Sequence, residues 1–368
     1  MTQPLRAGVI GLGIGRTHAR GYIAIDGVEL VALCDILEDR LTERGAEFPD
    51  TQHYTDYRVM LAEANLDMVS VCVPNAVHPE IAIAALEAGL HVCCEKPLAA
   101  TLEGARSIFD AVQKASGKFT IVHNYRYRAD MQWAKQACHD GLLGDIYHVE
   151  AVWTRETGIP GGWFTQKEVA GGGPLIDLGV HLLDLALWML DFPQVQTVSG
   201  ATRTAFGPSG KKTWGWGTSA DGSSSEYSVE DGAVGLLRLT GGTSMRLDAS
   251  WGDHRRPAED DMYLRISGSE GAVEISVENY TDEDTLRLYT EINGSAVEVR
   301  PKVDPAAAST HEAQLAAQSP HAGLLNAFVQ AILEDTAPPA PVAHGLAIVE
   351  VLDAFYRSAE QGREVVLA

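Results

Sequence analysis

The chain has 368 residues, of which 45% are apolar, so it is long enough for two domains and can bury a sizeable core. Its 28 lysines and arginines stand against 50 aspartates and glutamates, which gives a net charge of −22 with neutral histidines. This balance argues against a nucleic-acid partner or an anionic membrane surface, since both require clustered cations.

The N-terminus and the cysteines favour a cytoplasmic location. The opening residues, MTQPLRAGVIGLG, contain no basic patch, long apolar segment or small-residue cleavage site, so we do not expect secretion. The longest apolar helical run, LLDLALWML, is too short and too charged to span a bilayer. Five cysteines, four of them in strand-like runs, indicate buried thiols rather than disulfides, and their spacing suggests no zinc site.

Strand-like and helix-like runs alternate over the first third of the chain. The strand-like runs are RAGVIGL, VELVALCD, LDMVSVCVP, HVCC and KFTIVHN, and helical stretches lie between them. This alternation predicts right-handed βαβ units and a doubly wound parallel sheet with helices on both faces. We place this α/β domain at residues 1–123.

The pattern changes in the second part of the chain, residues 124–368. GPLIDLGVHLLDLALWML predicts a long apolar helix, and residues 195–300 are mostly period-2 strands joined by the turn signals TGGT, GSEGA and NGS. We therefore expect a second α/β domain with a large open, mostly antiparallel sheet that packs against the helix. Two C-terminal helices, at about 320–334 and 343–361, could return between the domains. The exposed face of so broad a sheet suggests a homodimer or homotetramer.

A glycine-rich loop, GLGIGRTHARGY, follows the first strand. Gly11 and Gly13, with Ile14 and Gly15 beside them, allow a tight turn and a close approach to a pyrophosphate at the helix N-terminus. The usual third glycine would occupy position 16, where this chain has Arg16, so the loop is one residue short. A turn without a ligand is the alternative.

Polar residues at two strand ends support dinucleotide binding. Asp35 ends the second strand, where a carboxylate binds ribose hydroxyls and repels a 2′-phosphate, so we expect NAD, while Arg40 keeps NADP possible. The third strand ends in VPNAVH, and Pro74, Asn75 and His78 lie within reach of the crevice where such sheets bind ligands. Alternatively, Asn75 and His78 cap the next helix.

Four segments resemble the Gfo/Idh/MocA family, named after glucose–fructose oxidoreductase and inositol dehydrogenase. They are AGVIGLGIG, the CD of residues 34–35, VCVPNAVHPEIAIAALEAGLHVCCEKPLA and GGGPLIDLGVHLLDLALWML. The resemblance implies an N-terminal Rossmann domain, a second domain with an open, mostly antiparallel sheet, and NAD(P)-dependent oxidation or reduction of sugars and polyols.

Three residues form the candidate catalytic group. Asp177 and His181 are four apart and share a helix face, which Asp184 extends. Lys96 ends an interior strand together with Glu95, and we place both residues at the cofactor crevice, where parallel strands end. Pro97 restricts the backbone of Lys96, and the bond between them could be in the cis form. His181 suits a general base, while the Lys96 ammonium would stabilise the developing alkoxide. The alternatives are a solvated helix stripe and a surface Lys–Glu pair.

Asp177 would bind a neighbouring hydroxyl or tune His181, and Asp184 would orient the ring. The resemblance carries the family's catalytic Lys, Asp and His onto Lys96, Asp177 and His181.

Substrate contacts are predicted around these residues. Tyr125 and Arg126 occupy positions that resemble the family's paired arginines near substrate, and Arg155 ends a strand. Trp163 and Phe164, in a glycine-rich loop, could cover a sugar ring, or the loop is an ordinary connection. Residues 207–226, with Trp214 and Trp216, form a low-complexity loop that could serve an oligomer contact, a substrate lid or no role.

We therefore expect an NAD-dependent dehydrogenase of a sugar, inositol or related polyol, without a metal. Two alternatives keep the fold. One is an NAD-dependent glycosidase that oxidises its substrate transiently, and the other is a non-catalytic, sugar-responsive regulator.

Overall fold

The computed structural model describes residues 3–214, 227–255, 260–278, 280, 283–303 and 319–367. Most of the predicted low-complexity loop, including Trp216, therefore lies outside the described residues. The chain divides into two compact units, Met1–Arg128 with Pro305–Ala347 and Ala129–Asp304 with Ile348–Ala368. The domain boundary after residue 123 stays a prediction of the sequence.

The first unit contains a six-stranded parallel sheet. Its strands are β1 (Leu5–Ile10), β2 (Val28–Cys34), β3 (Gln52–Tyr54), β4 (Met68–Val71), β5 (His91–Cys94) and β6 (Phe119–Ile121), in the order β3-β2-β1-β4-β5-β6. The helices between them are α1 (Gly15–Ile23), α2 (Glu38–Gly45), α3 (Tyr57–Glu63), α4 (His78–Glu87) and α5 (Leu102–Val112). This order confirms the predicted doubly wound sheet. The sequence analysis missed β3 and α3, because runs of three and seven residues give little periodic signal.

The second unit contains a nine-stranded sheet. Its strands are β7 (Ile146–Arg155), β8 (Val195–Arg203), β9 (Gly232–Leu239), β10 (Ser244–Ser250), β11 (Asp260–Gly268), β12 (Gly271–Glu278), β13 (Leu286–Ile292), β14 (Ser295–Val299) and β15 (Val365–Val366). Their order is β14-β13-β12-β11-β7-β10-β9-β8-β15, and only β7 and β10 pair in parallel. The three predicted hairpins form. The one at NGS places Asn293 and Gly294 at φ values of 51° and 73°, the left-handed geometry of a tight two-residue turn.

Before the two C-terminal helices, the described residues of the second unit form the α-helices α6 (Ala129–His139), α7 (Lys167–Ala170) and α8 (Val180–Met189). A π-helical turn, Leu175–Gly179, precedes α8. By length and composition the segment Lys167–Met189, which joins α7, the π-helical turn and α8, could cross a membrane, but 83% of its apolar window is buried inside the protein. The sequence analysis considered only the part LLDLALWML, and the burial of the longer segment is that of a core element.

The two C-terminal helices are α9 (Pro320–Leu333) and α10 (Val342–Gln361), within two residues of their predicted bounds. Helix α9 packs on α1 in the first unit. A methyl group at Gly21 of α1 would lie 2.7 Å from Leu325 Cδ1, so the glycine permits this close approach. The contact joins the core that Ala19, Tyr22 and Phe328 share.

Candidate active site

The glycine loop between β1 and α1 has the geometry of a phosphate cradle. Gly11 has a φ of 87°, and a Cβ there would lie 2.3 Å from the Cys72 carbonyl oxygen. At Gly13 a Cβ would meet no atom within 4 Å, so this face of the loop is open. Helix α1 begins at Gly15, and its N-cap, Ile14, makes no side-chain cap hydrogen bond. The helix N-terminus is therefore available to an anionic group, as pyrophosphate binding requires.

Gly15 explains the missing glycine at position 16. A Cβ at Gly15 would lie 2.8 Å from Val9 Cγ1 and 3.1 Å from Cys72 Cβ. Helix α1 therefore packs closely on β1 at Gly15. The third glycine of such loops normally permits this close packing of helix on strand. Arg16 faces outward, and its Nε lies 2.6 Å from Glu47 Oε2. In this chain the glycine that permits close helix–strand packing stands at position 15 instead of 16, and the phosphate cradle is preserved.

Asp35 lies beside the same loop, at the end of β2. Its carboxylate is buried and accepts hydrogen bonds from the amides of Leu12 (2.8 Å) and Leu37 (3.0 Å). Arg40 Nη1 lies 3.3 Å from Asp35 Oδ2. Arg44, which the sequence analysis missed, donates to the carbonyl oxygens of Leu12 and Gly13. The loop and the carboxylate therefore lie together, as an adenosine ribose site needs, and two guanidinium groups lie beside them.

His78 joins the ends of β4 and β5. The ring is fully buried, and its Nδ1 and Nε2 each lie 2.9 Å from a carbonyl oxygen, those of Pro97 and Val73. Burial lowers the pKa of His78 from its ordinary value. The N-cap residues of the two helices after β4 are Pro74 and Val77, and neither makes a side-chain cap hydrogen bond. Both ring nitrogens of His78 lie against carbonyl oxygens, so its side chain does not cap the helix. This position favours a structural role for His78, next to the cis Lys96–Pro97 bond.

Glu95, the residue before Lys96, ends a buried chain of hydrogen bonds. His18 Nε2 lies 2.9 Å from Glu95 Oε1, His18 Nδ1 lies 2.9 Å from Ser70 Oγ, and Ser70 lies 2.7 Å from the Tyr22 hydroxyl. Burial alone would raise the pKa of Glu95, but the hydrogen bond from His18 and nearby positive charge lower it to about 2. Glu95 is therefore an ionised group at the end of β5, immediately before Lys96.

His321 of α9 approaches the same carboxylate. Its Nε2 lies 3.9 Å from Glu95 Oε1, and burial lowers the pKa of His321 to about 4. The possible ligand atoms of His18, Glu95 and His321 all lie within 4.8 Å of one another, close enough to hold a metal ion. Cysteine spacing could not have revealed this cluster. One oxygen of the Glu95 carboxylate already lies within hydrogen-bonding distance of His18 Nε2. The expectation of a metal-free enzyme stays a prediction.

In the second unit, Asp177 and His181 lie on the helical run that the sequence singled out. The run is not the regular α-helix that was expected, because Asp177 falls in the π-helical turn and His181 in the first turn of α8. Turns of this kind occur often at functional sites. Trp251 Nε1 donates to Asp177 Oδ2 at 3.0 Å, and the Trp153 ring lies 6.1 Å from the His181 ring. Asp184, further along α8, is fully buried.

Arg155 lies among aromatic rings at the end of β7. Its Cζ is 5.6 Å from the ring centroids of Trp153 and Trp214 and 5.9 Å from that of Tyr280, whose hydroxyl accepts a hydrogen bond from Arg155 Nη2. Trp153 is therefore a neighbour of both His181 and Arg155. The Trp163 and Phe164 rings stack on each other at 3.9 Å.

The predicted contacts Tyr125 and Arg126 lie in a 3-10 helix of the first unit, Asn124–Tyr127. Arg126 is buried and donates to the Pro339 carbonyl oxygen at 3.2 Å, and its Nη2 lies 3.3 Å from His344 Nδ1. These contacts favour a structural role for Arg126. Tyr125 is less buried and stays a predicted substrate contact.

Sequence reasoning missed three residues of the second unit that contact the predicted ones: Trp153, Trp251 and Tyr280. Trp153 carried a signal, since it lies two residues before Arg155 on an alternating strand and so shares its face. Trp251 and Tyr280 lie 74 and 125 residues from their partners, Asp177 and Arg155, and only the fold brings them there.

Comparison with known proteins agrees with this geometry. Residues 5–123 match the family model "Oxidoreductase family, NAD-binding Rossmann fold", and residues 131–274 match "GFO/IDH/MocA C-terminal domain". The chain belongs to the Gfo/Idh/MocA family of oxidoreductases. This membership confirms the predicted fold class, the NAD cofactor and the assignment to enzymes.

Relatives of this Gfo/Idh/MocA protein include D-glucoside 3-dehydrogenase of Escherichia coli strain K12. The two are 31% identical over 369 residues, which cover 100% of this chain and 98% of the relative. Levoglucosan dehydrogenase of Pseudarthrobacter phenanthrenivorans is 28% identical over 302 residues, covering 78% and 76%. A levoglucosan dehydrogenase structure in complex with NADH and levoglucosan has the same fold, with a TM-score of 0.83 at 22% identity over 99% of both chains.

Proposed function

We propose that this protein is an NAD-dependent dehydrogenase that oxidises a secondary hydroxyl group of a sugar, a glycoside or a related cyclic polyol. One observation in the first unit carries the proposal. Strands β1, β4 and β5 are parallel neighbours, so the glycine loop after β1 and Lys96 after β5 lie at the same edge of one sheet. That edge is where doubly wound sheets bind dinucleotides, and a fixed lysine there is suited to act on the reacting oxygen.

NAD, when bound, supplies the hydride acceptor, and the residues of the chain manage the proton and the charge. The Lys96 ammonium stabilises negative charge on the substrate oxygen as its proton leaves. His181 takes that proton at a ring nitrogen, because an imidazole titrates near neutral pH. We propose that oxidation of the substrate requires both groups.

Asp177 and Arg155 would bind the rest of the substrate. The hydrogen bond from Trp251 fixes the direction of the Asp177 carboxylate, which then accepts from a neighbouring hydroxyl. The exposed rings of Trp214 and Tyr280 flank Arg155 and offer apolar faces to a sugar ring. A hydroxyl-rich ring suits this mixture of donors, acceptors and aromatic faces. The names of the relatives, a glucoside and a levoglucosan dehydrogenase, support the same substrate class.

The test is an activity screen. Purified protein is incubated with NAD⁺ and a panel of inositols, free aldoses and glycosides, and NADH absorbance is followed. We expect NADH release with at least one member of the panel. Glycoside cleavage without net NADH release would instead favour the glycosidase alternative, and binding of sugar and NAD without any turnover would favour the regulator.

We also propose that the protein forms a homodimer or homotetramer, in the cytoplasm, through the exposed face of the nine-stranded sheet. Val234 and Leu236 of β9 each expose 46% of their surface on that face. A second copy that packed there would remove this apolar surface from water, which is favourable. Analytical ultracentrifugation of the wild type and of Leu236→Glu tests this. A monomeric wild type would contradict the proposal.

A further inference from the structure

The helical run that carries Asp177 and His181 begins at a buried carboxylate from another part of the second unit. Glu230 Oε2 accepts the amide hydrogen of Gly173 at 3.0 Å, and its Oε1 accepts that of Leu175 at 3.2 Å. The Tyr356 hydroxyl donates to the same Oε1 at 2.9 Å. In the described part of the chain, Glu230 forms no ion pair, whereas the adjacent Asp231 is paired with Arg203.

The glycines of the GGGP motif allow this contact. A Cβ at Gly172 would lie 1.9 Å from the Tyr356 hydroxyl oxygen, and one at Gly173 would lie 2.0 Å from the Glu230 carbonyl oxygen. Gly171 ends α7 at a φ of 88°, which turns the chain into this position. The GGGP motif therefore passes close to Glu230 and Tyr356.

The physical effect of the carboxylate follows from its place. The first amides of a helix have no partner within the helix and form its positive end, so a buried acceptor there stabilises the helix start. Burial raises the pKa of Glu230, and the hydrogen bonds from Gly173, Tyr356 and Leu175 oppose that rise. Leu175 is the first residue of the π-helical turn, and Asp177 lies two residues further on.

We propose that Glu230, supported by Tyr356, is a positioning residue that fixes the start of the helical run and so the directions of Asp177 and His181. This inference rests on the proposed function only in its kinetic part, because the anchoring of the helix start can be measured without any substrate. A small displacement of catalytic groups is costly, since proximity and orientation contribute a large share of rate enhancement.

Two measurements on Glu230→Gln and Tyr356→Phe test the proposal. Glutamine has the shape of glutamate, but its N–H₂ group cannot accept a hydrogen bond, so at least one of the three donors loses its acceptor. Tyr356→Phe removes one donor and leaves the carboxylate in place. Hydrogen exchange of the amides at 173 and 175 reports on the anchor. Steady-state kinetics and NADH affinity report on positioning. Glu168→Gln, on the exposed surface of α7, is the matched control.

For Glu230→Gln we expect faster exchange at 173 and 175, a kcat of the folded enzyme lowered about 10-fold or more, and unchanged NADH affinity. The unfolding midpoint should fall, because a buried donor loses its acceptor. Tyr356→Phe should change the same quantities less, and the control should change none. Unchanged exchange would overturn the anchor, and faster exchange with an unchanged kcat would overturn the positioning role. If the wild type itself oxidises no substrate, the proposed function fails, and the exchange data alone still decide the anchor.

Discussion

The indole nitrogen of Trp251 donates a hydrogen bond to the carboxylate of Asp177, with Nε1 3.0 Å from Oδ2. Trp251 directly follows β10 and is fully buried, so the donor is held rigidly. A carboxylate that accepts from a fixed indole keeps one oxygen in place and can direct the other elsewhere. The bond links Asp177 to the core of the nine-stranded sheet.

Trp251→Phe should therefore lower kcat/KM, because it removes the hydrogen bond to Asp177 while changing the packing little. Phenylalanine fills most of the space but cannot donate to Asp177. We expect kcat/KM for the preferred sugar to fall about 10-fold, which corresponds to the loss of one hydrogen bond to a charged group. Steady-state kinetics at saturating NAD⁺ measures this, with the affinity for NADH as the control. An unchanged kcat/KM would mean that Asp177 needs no such support.

Gly11→Ala and Gly13→Ala should separate folding from cofactor binding. A methyl group at Gly11 would collide with the Cys72 carbonyl oxygen at a positive φ, so we expect a loss of about 1–3 kcal/mol of unfolding free energy together with weaker NADH binding. At Gly13 the space is open, so stability should be unchanged while NADH affinity falls. Urea unfolding and NADH fluorescence titration report the two quantities. A Gly13→Ala variant that binds NADH normally would contradict the cradle.

Glu95 should make the protein sensitive to acid. Its pKa is lowered to about 2 from an ordinary value of 4.5, so the folded state favours the ionised form. The resulting stability is present above about pH 4.5 and is lost as the pH falls towards 2, and it amounts to a few kcal/mol. Unfolding free energies measured across this range should fall more steeply for the wild type than for Glu95→Gln. Parallel curves would show that the His18–Glu95 contact does not lower this pKa.

Asp35 and Arg40 should set the preference between the two dinucleotides. The carboxylate repels a 2′-phosphate, and its removal leaves Arg40 and Arg44 beside the glycine loop. For Asp35→Ser we expect the ratio of kcat/KM for NAD⁺ over NADP⁺ to fall at least about 10-fold. Arg40→Ala in the same background should reverse part of that change. An unaltered ratio would place the determinant elsewhere.

The sequence was informative wherever a local pattern fixes the geometry. Strand–helix alternation predicted the parallel sheet, and NGS predicted the hairpin at Asn293. The glycine loop was harder to interpret from the sequence, because its spacing indicated that the third glycine is missing. Only the close packing of Gly15 on Val9 and Cys72 shows that Gly15 takes the place of that glycine.

Contacts between distant residues were out of reach. Glu230 lies 57 residues from Gly173, and Trp251 lies 74 from Asp177, so no periodicity connects them. The π-helical turn was also invisible, because LIDLG has the same apolar spacing as an ordinary α-helical turn. His321 lies near Glu95 because α9 packs on α1. No sequence motif predicts this packing.

The central proposal is that the Lys96 ammonium and the His181 imidazole are both required for oxidation of the substrate hydroxyl. The most direct measurement is the single-turnover rate of NADH formation by the wild type, Lys96→Ala and His181→Ala, with NADH affinity determined for each. We predict that each substitution lowers this rate at least ~100-fold while leaving NADH affinity nearly unchanged. A near-wild-type rate in either variant would contradict the account.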